Sequence, residues 1–282
     1  MLKVTYKIKY ILLFSIAMTL TLVASAQDVT LRPVNRSTLI GIGGVSLYDT
    51  YLSPSTYSGL SVSLLSERIN ATHFFNDKLL LQQQFFLQTG FTENSSSTGN
   101  EYYGDVSYKA SLLYPLAQYK QLRVLGGGGG EITLGGIYNQ RNSNNPGALK
   151  TSFNINLQAM AIYNWRMLTF RWQLTSPVLG MFFSPGYGQS YYEIFLLGNG
   201  AGTIMLGSPF NQLILQNYFT VDVPVGNFTI RTGYLGRLLK TDVNNITTKV
   251  NSHQFMIGLA MESLNFGGTK AKNRTNSQSC YY

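Results

Sequence analysis

Residues 151 to 175 alternate between apolar and polar side chains with a period of two, and the alternation changes phase once, at Arg166. Odd positions are apolar from 153 to 165, and even positions are apolar from 168 to 174. A period of two is typical of a β-strand whose two faces meet different surroundings. The segment therefore predicts a hairpin that is apolar on one face and rich in amides on the other.

The hairpin pattern also predicts a register. Pairing Tyr163 with Leu168 and Ala161 with Phe170 puts every apolar side chain on one face. A slip by one residue would turn Arg171 and Gln173 to the apolar side. If that side is lipid, an arginine near the bilayer midplane costs about 2 to 4 kcal/mol. We interpret the hairpin as part of a wall between lipid and a wet interior.

The first 26 residues have the pattern of an export signal. Three lysines precede an apolar run from 10 to 23, and Ala24-Ser25-Ala26 forms a small-x-small cleavage site. We predict a signal peptide at 1–26 and a mature chain that starts near Gln27. The alternative, an uncleaved membrane helix, is disfavoured because the run is short for a span and a cleavage site follows it.

Composition limits the classes that remain. After the signal, no stretch approaches the roughly 18 consecutive apolar residues of a membrane helix, so any crossing must use strands. Charged residues make up 12% of the chain, against about 25% in soluble domains. The net charge of +9 comes largely from the signal lysines and from Lys270, Lys272 and Arg274 in the tail. No nucleic-acid partner is expected from such a balanced body.

Twelve strands are predicted between Ser37 and Phe266, and most reach the 9–11 residues that a tilted strand needs to cross a bilayer. An open sheet edge in hydrocarbon would leave unpaired amides at several kcal/mol each. We therefore predict an all-β fold, a closed antiparallel transmembrane β-barrel of about 12 strands at 37–266, between an N-terminal extension (27–36) and a polar C-terminal tail (267–282). The predicted strands are 38–48, 57–68, 78–92, 101–114, 119–128, 130–139, 151–164, 167–176, 187–197, 211–222, 227–239 and 250–264.

Three segments fit the strand pattern less well. Residues 79 to 88 fit neither the strand nor the helix template, and are interpreted as a bulge or a short helix. The five glycines at 126–130 lack the Lys-Ser/Thr of a phosphate loop, so a hairpin tip or a kinked strand is predicted. Asn217 falls on the otherwise apolar face of its strand.

Signals for catalysis are weak. The chain has two histidines, His73 and His253. Ser252 precedes His253, but adjacent strand residues point to opposite faces and cannot form a nucleophile and base pair. No cluster has metal-ligand spacing. We predict no catalytic residue, no metal and no cofactor, and the lone Cys280 cannot form an internal disulfide.

The polar face of the predicted strands carries charges of both signs in equal number. Such balance argues against a strongly ion-selective pore. Two interpretations stay open: a buried ionic network that fills the lumen, and a narrow channel or pocket for a small solute. The predicted lumen-facing residues are Asp105, Lys109, Arg171, Glu193, Asp222, Arg231, Arg237 and Glu262.

Three segments carry a family resemblance: 48–54 with Tyr57 and Gly59, then 141–146, then 183–193. They resemble an uncharacterised domain-of-unknown-function family of exported, predicted outer-membrane β-barrel proteins of Gram-negative bacteria. The resemblance covers most of the mature chain and implies location and architecture, with no assigned activity. The polar tail after the last strand departs from the general habit of such barrels.

The third of these segments, which contains Tyr187, Gln189, Tyr191 and Glu193 at alternate positions, leads into a predicted strand. We interpret these side chains as lining a mouth or a lumenal plug. The specific hypothesis is that Glu193 pairs with Arg171 across the lumen.

Together these patterns predict a non-enzymatic barrel in the outer membrane, with outer-membrane lipid as its partner. Its expected role is a small channel, a transport-related pore or a structural envelope protein. Two alternatives from other classes stay open. One is an outer-membrane lipid-modifying enzyme that depends on His73 or His253, and the other is a soluble secreted sandwich or lipocalin-like binder.

Overall fold

A computed structural model describes residues 34–72, 78–143, 145–226 and 228–263. Ten antiparallel strands close into a barrel, and one short strand lies outside the closure. The predicted signal peptide and C-terminal tail lie outside the described residues. The strands are β1 (Val34–Asp49), β2 (Ser53–Ala71), β3 (Leu80–Asn94), β4 (Asn100–Tyr119), β5 (Leu122–Asn139), β6 (Gly147–Trp165), β7 (Leu168–Phe183), β8 (Ile204–Gly207), β9 (Gln212–Val225), β10 (Phe228–Val243) and β11 (Ile246–Ser263).

Closure depends on two pairings, of β1 with β11 and of β7 with β9. Each remaining strand of the ten pairs with its neighbours in the chain. The short strand β8 pairs only with the upper end of β7, at Gly180–Phe183. Each of the ten barrel strands thus has a neighbour on both sides, and between β7 and β9 the pairing covers Thr169–Thr175. Among the described residues, no helix is both long and apolar enough to cross a membrane.

The prediction of about 12 strands was wrong, for two local reasons. Segments 119–128 and 130–139 are one strand, β5, which runs straight through the five glycines. Segment 187–197 is not a strand, because it contains the short helix α1 (Tyr191–Phe195). Ser190 and Glu193 form a capping box at its start, which satisfies helix N–H groups and favours a helical turn over an extended chain.

The glycines of β5 let the neighbouring strand approach closely. A Cβ atom at Gly129 would lie 1.9 Å from the carbonyl oxygen of Ala110 on β4. A Cβ at Gly130, on the opposite face, would meet nothing closer than the Phe153 ring at 3.8 Å. The run is therefore required for packing within the wall and does not form a hairpin tip.

The hairpin of β6 and β7 has a register that differs from the predicted one by two residues. A two-residue turn, Arg166 and Met167, places Trp165 opposite Leu168 and Tyr163 opposite Phe170. A shift by two residues keeps every side chain on its face. The division into faces is therefore as the alternation indicates: Leu157 is exposed outside, while Gln158 is buried inside.

Residues 80 to 88 and Asn217, which fit the strand pattern less well, also keep the division into an inner and an outer face. Residues 80 to 88 are regular strand, with Gln82 and Gln84 buried inside and Phe85 exposed outside. The outward Asn217 accepts a hydrogen bond from the indole N–H of Trp172 at 2.7 Å. An amide on the apolar face is thus satisfied by its neighbour on β7, which removes most of the cost of exposing it there.

The two ends of the barrel differ. We call the end with the β1–β2 turn the upper end, and the end with the turns at 120–121 and 166–167 the lower end. The connection from 184 to 203, which contains α1, lies at the upper end because β7 ends there. The first residue of β1 and the last of β11, Val34 and Ser263, pair at the lower end.

The close approach at β5 generates a test. Gly129→Ala is expected to lower the free energy of unfolding by about 1 to 3 kcal/mol, because the new methyl group overlaps a carbonyl oxygen and the backbone must shift. Urea unfolding of the refolded protein in detergent, followed by gel mobility without boiling, measures this. Gly130→Ala is the matched control and is expected to have little effect. Equal losses from the two variants would contradict the close approach.

Candidate functional site

The interior of the barrel is filled with side chains, and we treat this filled lumen as the candidate functional site. An apolar cluster occupies the lower end beside β2 to β6. A second occupies the middle, and a third lies at the upper end. Their buried members are, from the lower end upward, Ile69, Leu80, Leu113, Leu125, Met160 and Ile162; then Leu39, Leu65, Phe86, Tyr218, Leu235 and Met256; then Val45, Leu47, Tyr51, Leu52, Tyr57, Tyr103, Ile137, Ala148, Ile246 and Val250.

Opposite the lowest apolar cluster lies an ionic network centred on Glu67. This carboxylate is 2% exposed and pairs with Arg171 at 2.7 Å and with Arg231 at 3.0 Å. The side-chain amides of Gln82 and Gln84 also donate to it, at 2.5 and 2.8 Å. A buried carboxylate is stable only when donors replace its hydration, and here two cations and two amides supply them. We call this set, with Asp222, the lower network.

Arg231, on β10, contacts side chains of β1, β2 and β9 within the lower network. Its Nε and Nη2 donate to the two carboxylate oxygens of Asp222 at 2.6 and 2.7 Å, a bidentate pair. Its Nη1 donates to Ser37 at 2.9 Å as well as to Glu67. The guanidinium of Arg171 lies 5.0 Å from the centre of the Tyr218 ring, a cation–π contact. The network therefore fixes β1, β2, β3, β7, β9 and β10 against one another.

A second polar cluster, the upper network, lies above the middle apolar cluster. Arg237 donates to Asp105 at 2.8 Å and to Gln88 at 3.1 Å. Its guanidinium also lies 4.5 Å from the centre of the Phe86 ring. Lys109 donates to Gln216 at 3.0 Å. Charges from β4 and β10 thus meet across the lumen.

The predicted lumen-facing residues divide into three groups. Asp105, Lys109, Arg171, Asp222, Arg231 and Arg237 lie inside, in the two networks. Glu262 is partly buried near the lower end of β11, on the same parity as the buried Gln254 and Met256. Glu193 was assigned wrongly: it lies in α1, where its carboxylate accepts from the Ser190 backbone N–H at 2.8 Å, and Arg171 pairs with Glu67 instead.

Sequence reasoning missed Glu67, which is the centre of the lower network. A signal for it exists in β2, where Leu60, Val62 and Leu64 point outward, so the odd positions, including Glu67, must point inward. Leu65 and Ile69 also point inward and obscure the polar pattern. Inward apolar residues are normal in a narrow barrel, because they fill the space between polar contacts.

The upper end is covered by a lid formed by the β1–β2 turn and the 184–203 connection. The Tyr51 hydroxyl donates to the Gln189 carbonyl at 2.7 Å, and the Tyr191 hydroxyl accepts from the Leu149 backbone N–H at 2.6 Å. The two tyrosine rings pack edge to face at 6.0 Å. Burial raises the pKa of Tyr51 to about 12, so this hydroxyl stays protonated and remains a donor at physiological pH.

A cavity of about 50 Å³ lies between the upper network and the lid. Asp105, Glu131, Lys150 and Arg237 contribute to its polar lining, with Tyr103 beside them. The volume holds a few water molecules and no larger solute. The Tyr103 side chain is buried inside the barrel, with 7% exposure.

Groups that could support catalysis are sparse. Within the described ranges, no group of three or more His, Cys, Asp or Glu side chains is placed to hold a metal ion. Ser252 is buried inside, while His253 is on the outer wall, where its Nδ1 lies 2.5 Å from the Tyr234 hydroxyl. The strand thus puts these two neighbours on opposite faces. His73 lies outside the described residues.

The fold and its interior define the class: a ten-stranded antiparallel β-barrel with a filled lumen. The chain belongs to a family described as proteins of unknown function, DUF3316, whose model matches residues 8–270. No curated protein matches the sequence.

Solved structures with a similar fold include two proteins of Escherichia coli. The outer membrane protease OmpT is 7% identical, with a TM-score of 0.44, over 85% of this chain and 99% of OmpT. The transport unit of the autotransporter AIDA-I is 10% identical, with a TM-score of 0.46, over 90% of this chain and 97% of that unit. The translocator domain of NalP from Neisseria meningitidis is 9% identical, with a TM-score of 0.39, over 84% of this chain and 89% of that domain.

The lower network generates a double-mutant test. Glu67→Ala is expected to lower the free energy of unfolding by about 3 to 5 kcal/mol, because two buried arginines lose their shared carboxylate. Adding Arg171→Ala should cost much less than the separate losses predict, with a coupling energy of about 1 to 3 kcal/mol. Urea unfolding of the four proteins in detergent measures the cycle.

Two controls accompany this cycle. Glu93→Ala, at an exposed position of β3, is expected to change the free energy of unfolding by less than about 0.5 kcal/mol. The cycle of Glu193→Ala with Arg171→Ala is expected to be additive, because Glu193 caps α1 and Arg171 pairs with Glu67. Additivity in the Glu67 cycle, or coupling in the Glu193 cycle, would contradict the network described above.

Proposed function

We propose that this protein is an integral outer-membrane barrel with a closed lumen, a non-enzymatic structural component of the envelope that does not conduct solutes in this state. The observation that carries the proposal is the interior, where paired charges and apolar clusters occupy successive levels between the lower turns and the lid. A structural role is favoured because the cavities beside Lys109 and beneath the lid, of about 10 and 50 Å³, have room for a few waters at most.

The outer wall supports the membrane placement. Large apolar side chains are exposed at the middle of neighbouring strands around the barrel, an arrangement that would be unstable in water. Barrel strands of 14 to 20 residues exceed the length that a tilted strand needs to cross a bilayer. Representative exposed residues are Ile42 on β1, Val62 on β2, Leu87 on β3, Val106 on β4, Ile132 on β5, Leu157 on β6, Trp172 on β7, Phe219 on β9 and Ile257 on β11.

Charged residues on the outer wall, and a stacked pair of tyrosines, lie towards the ends of the barrel, on either side of the apolar middle. Outward-facing charges of the described strands lie near strand ends, as with Arg36 and Arg68 below and Glu93 and Lys249 above. Tyr102 and Tyr138 stack outside near the upper end, with ring centres 6.4 Å apart. Aromatic girdles at both edges of an apolar band are typical of membrane barrels. This arrangement supports a band of hydrocarbon contact between the two ends.

The asymmetry of the ends supports an orientation. In outer-membrane barrels, short turns lie on the periplasmic side and longer loops outside the cell. At the lower end three of the four connections have two residues and the fourth spans 72–79, whereas the upper end carries the longest connection, 184–203, which contains α1. We therefore place the upper end outside the cell, with the export signal predicted at 1–26 providing the route across the inner membrane.

Spin labels test the membrane placement. After Cys280→Ser, labels attached at Leu157→Cys and Ile257→Cys are expected to be accessible to oxygen and protected from a water-soluble nickel chelate, because both side chains face hydrocarbon. Ser96→Cys, in the exposed β3–β4 turn, is the water-accessible control. Electron paramagnetic resonance of the protein in phosphatidylcholine vesicles measures this. Nickel access at Leu157 and Ile257 equal to that at Ser96 would reject the placement.

Planar-bilayer recordings test the closed lumen. The refolded wild-type protein is expected to show no openings, because three apolar clusters and two polar networks occupy its interior. Flotation of the protein with vesicles, and its mobility without boiling, establish that it is inserted and folded. Steady conductance from inserted, folded protein would contradict the proposal and favour the channel.

A further inference from the structure

A polar hollow lies on the outer wall near the upper end, over β1, β2, β10 and β11, with a volume of about 500 Å³. It is far larger than the interior cavities, and its volume falls in the range of small-molecule sites. Its lining includes Tyr48, Lys240, Asp242, Thr247, Lys249 and Asn251. None of these residues belongs to the networks inside the barrel.

Two lysines in this hollow lie directly opposite each other. Lys240 on β10 pairs in register with Lys249 on β11, and Lys249 pairs with Tyr48 on β1. Like charges at directly opposed positions destabilise a sheet. Within the part of the chain that the structure describes, neither lysine has an ion-pair partner. An anion bound between them would remove the repulsion and gain two charge-assisted hydrogen bonds.

The hollow also offers neutral donors and one opposing charge. Tyr48, which carries a hydroxyl, and Asn251, which carries an amide, line it. Lys249 Nζ lies 5.5 Å from the centre of the Tyr48 ring. Asp242 accepts from Thr247 at 3.2 Å and lies one outward position above Lys240. Its charge therefore favours an anion on the side of the lysines that faces the apolar band.

The height of the hollow on the outer wall, just above the apolar band, indicates which kind of anion it would meet. Below the lysines, the next outward residues are Leu238 and Asn251, followed by the hydrogen-bonded Tyr234 and His253. Below these begin the apolar residues of the band, such as Phe255. A lipid whose acyl chains lie on this band would have its headgroup at the lysines. Lysine ammonium groups near a membrane surface attract anionic headgroups.

We infer that this hollow binds a phosphate group of lipid A, the phosphorylated anchor of lipopolysaccharide in the outer leaflet. The inference rests on the proposed membrane placement and orientation, which put the upper end in that leaflet. Lys240 and Lys249 would hold the phosphate, and the Tyr48 hydroxyl and the Asn251 amide would complete its hydrogen bonds. The acyl chains would lie along the exposed side chains of β1 and β11.

Binding of bisphosphorylated lipid A to the full chain in dodecyl maltoside micelles tests the inference, measured by native mass spectrometry and by the shift of the thermal unfolding midpoint. Lys240→Gln with Lys249→Gln is expected to weaken binding about tenfold or more, because two charge-assisted contacts are lost. The pair Lys240→Arg and Lys249→Arg should retain binding. Lys78→Gln with Lys120→Gln removes the same charge at lower-end turns and should match the wild type.

Lipid A without phosphates, phosphatidylglycerol and inorganic phosphate distinguish the possible ligands. Each is expected to bind at least about tenfold more weakly than bisphosphorylated lipid A. Equal binding by any of them, or equal weakening by the lower-end lysine variant, would overturn the inference. If the label at Leu157→Cys reports lipid but the wild-type protein shows no phosphate-dependent binding, this site alone is rejected. Water at Leu157 would instead reject the membrane placement, whatever the lysines bind.

Discussion

The whole structure depends on closing an antiparallel sheet in which every second side chain points inward. Pairing of β1 with β11, and of β7 with β9, gives all ten strands two neighbours. Closure also forces half of the side chains into a narrow interior, where water is scarce. Polar groups there must bond to one another, because an unpaired buried group costs about 1 to 3 kcal/mol. The two ionic networks are thus a consequence of closure as much as a cause of stability.

The sequence of a single strand was sufficient to predict which of its side chains face the interior and which face outward. Sidedness was predictable from alternation, since the buried Gln158 and the exposed Leu157 are neighbours in the chain. The register of the β6–β7 hairpin was not, because a shift by two residues leaves every face unchanged and only the turn decides between the registers. The strand count failed where local chemistry overrode the pattern, at the glycines of β5 and at the capping box of α1.

The partners inside the lumen could not be predicted from local sequence, although most of the inward charges could. Arg171 meets Glu67, which is distant in sequence and lies on a strand across the interior. Which strands face each other depends on the number of strands and on their stagger. An error of two strands therefore changes the partners of the charges that meet across the interior, such as Arg171 and Glu67. The predicted pairing of Glu193 with Arg171 failed for a related reason. Glu193 lies in a helix, so the alternation of a strand does not apply to its side chain.

The interior chemistry sets the energy that any transport role would require. Separating Glu67 from both arginines, which a continuous path through the lower network would need, costs about 3 to 5 kcal/mol. A state that is 4 kcal/mol higher in free energy is populated at roughly one part in a thousand. A ligand opens such a barrel only if it binds the open state more tightly by that amount. The charges of the lower network are already matched in the closed state and offer no such gain, which is the energetic argument for a closed lumen.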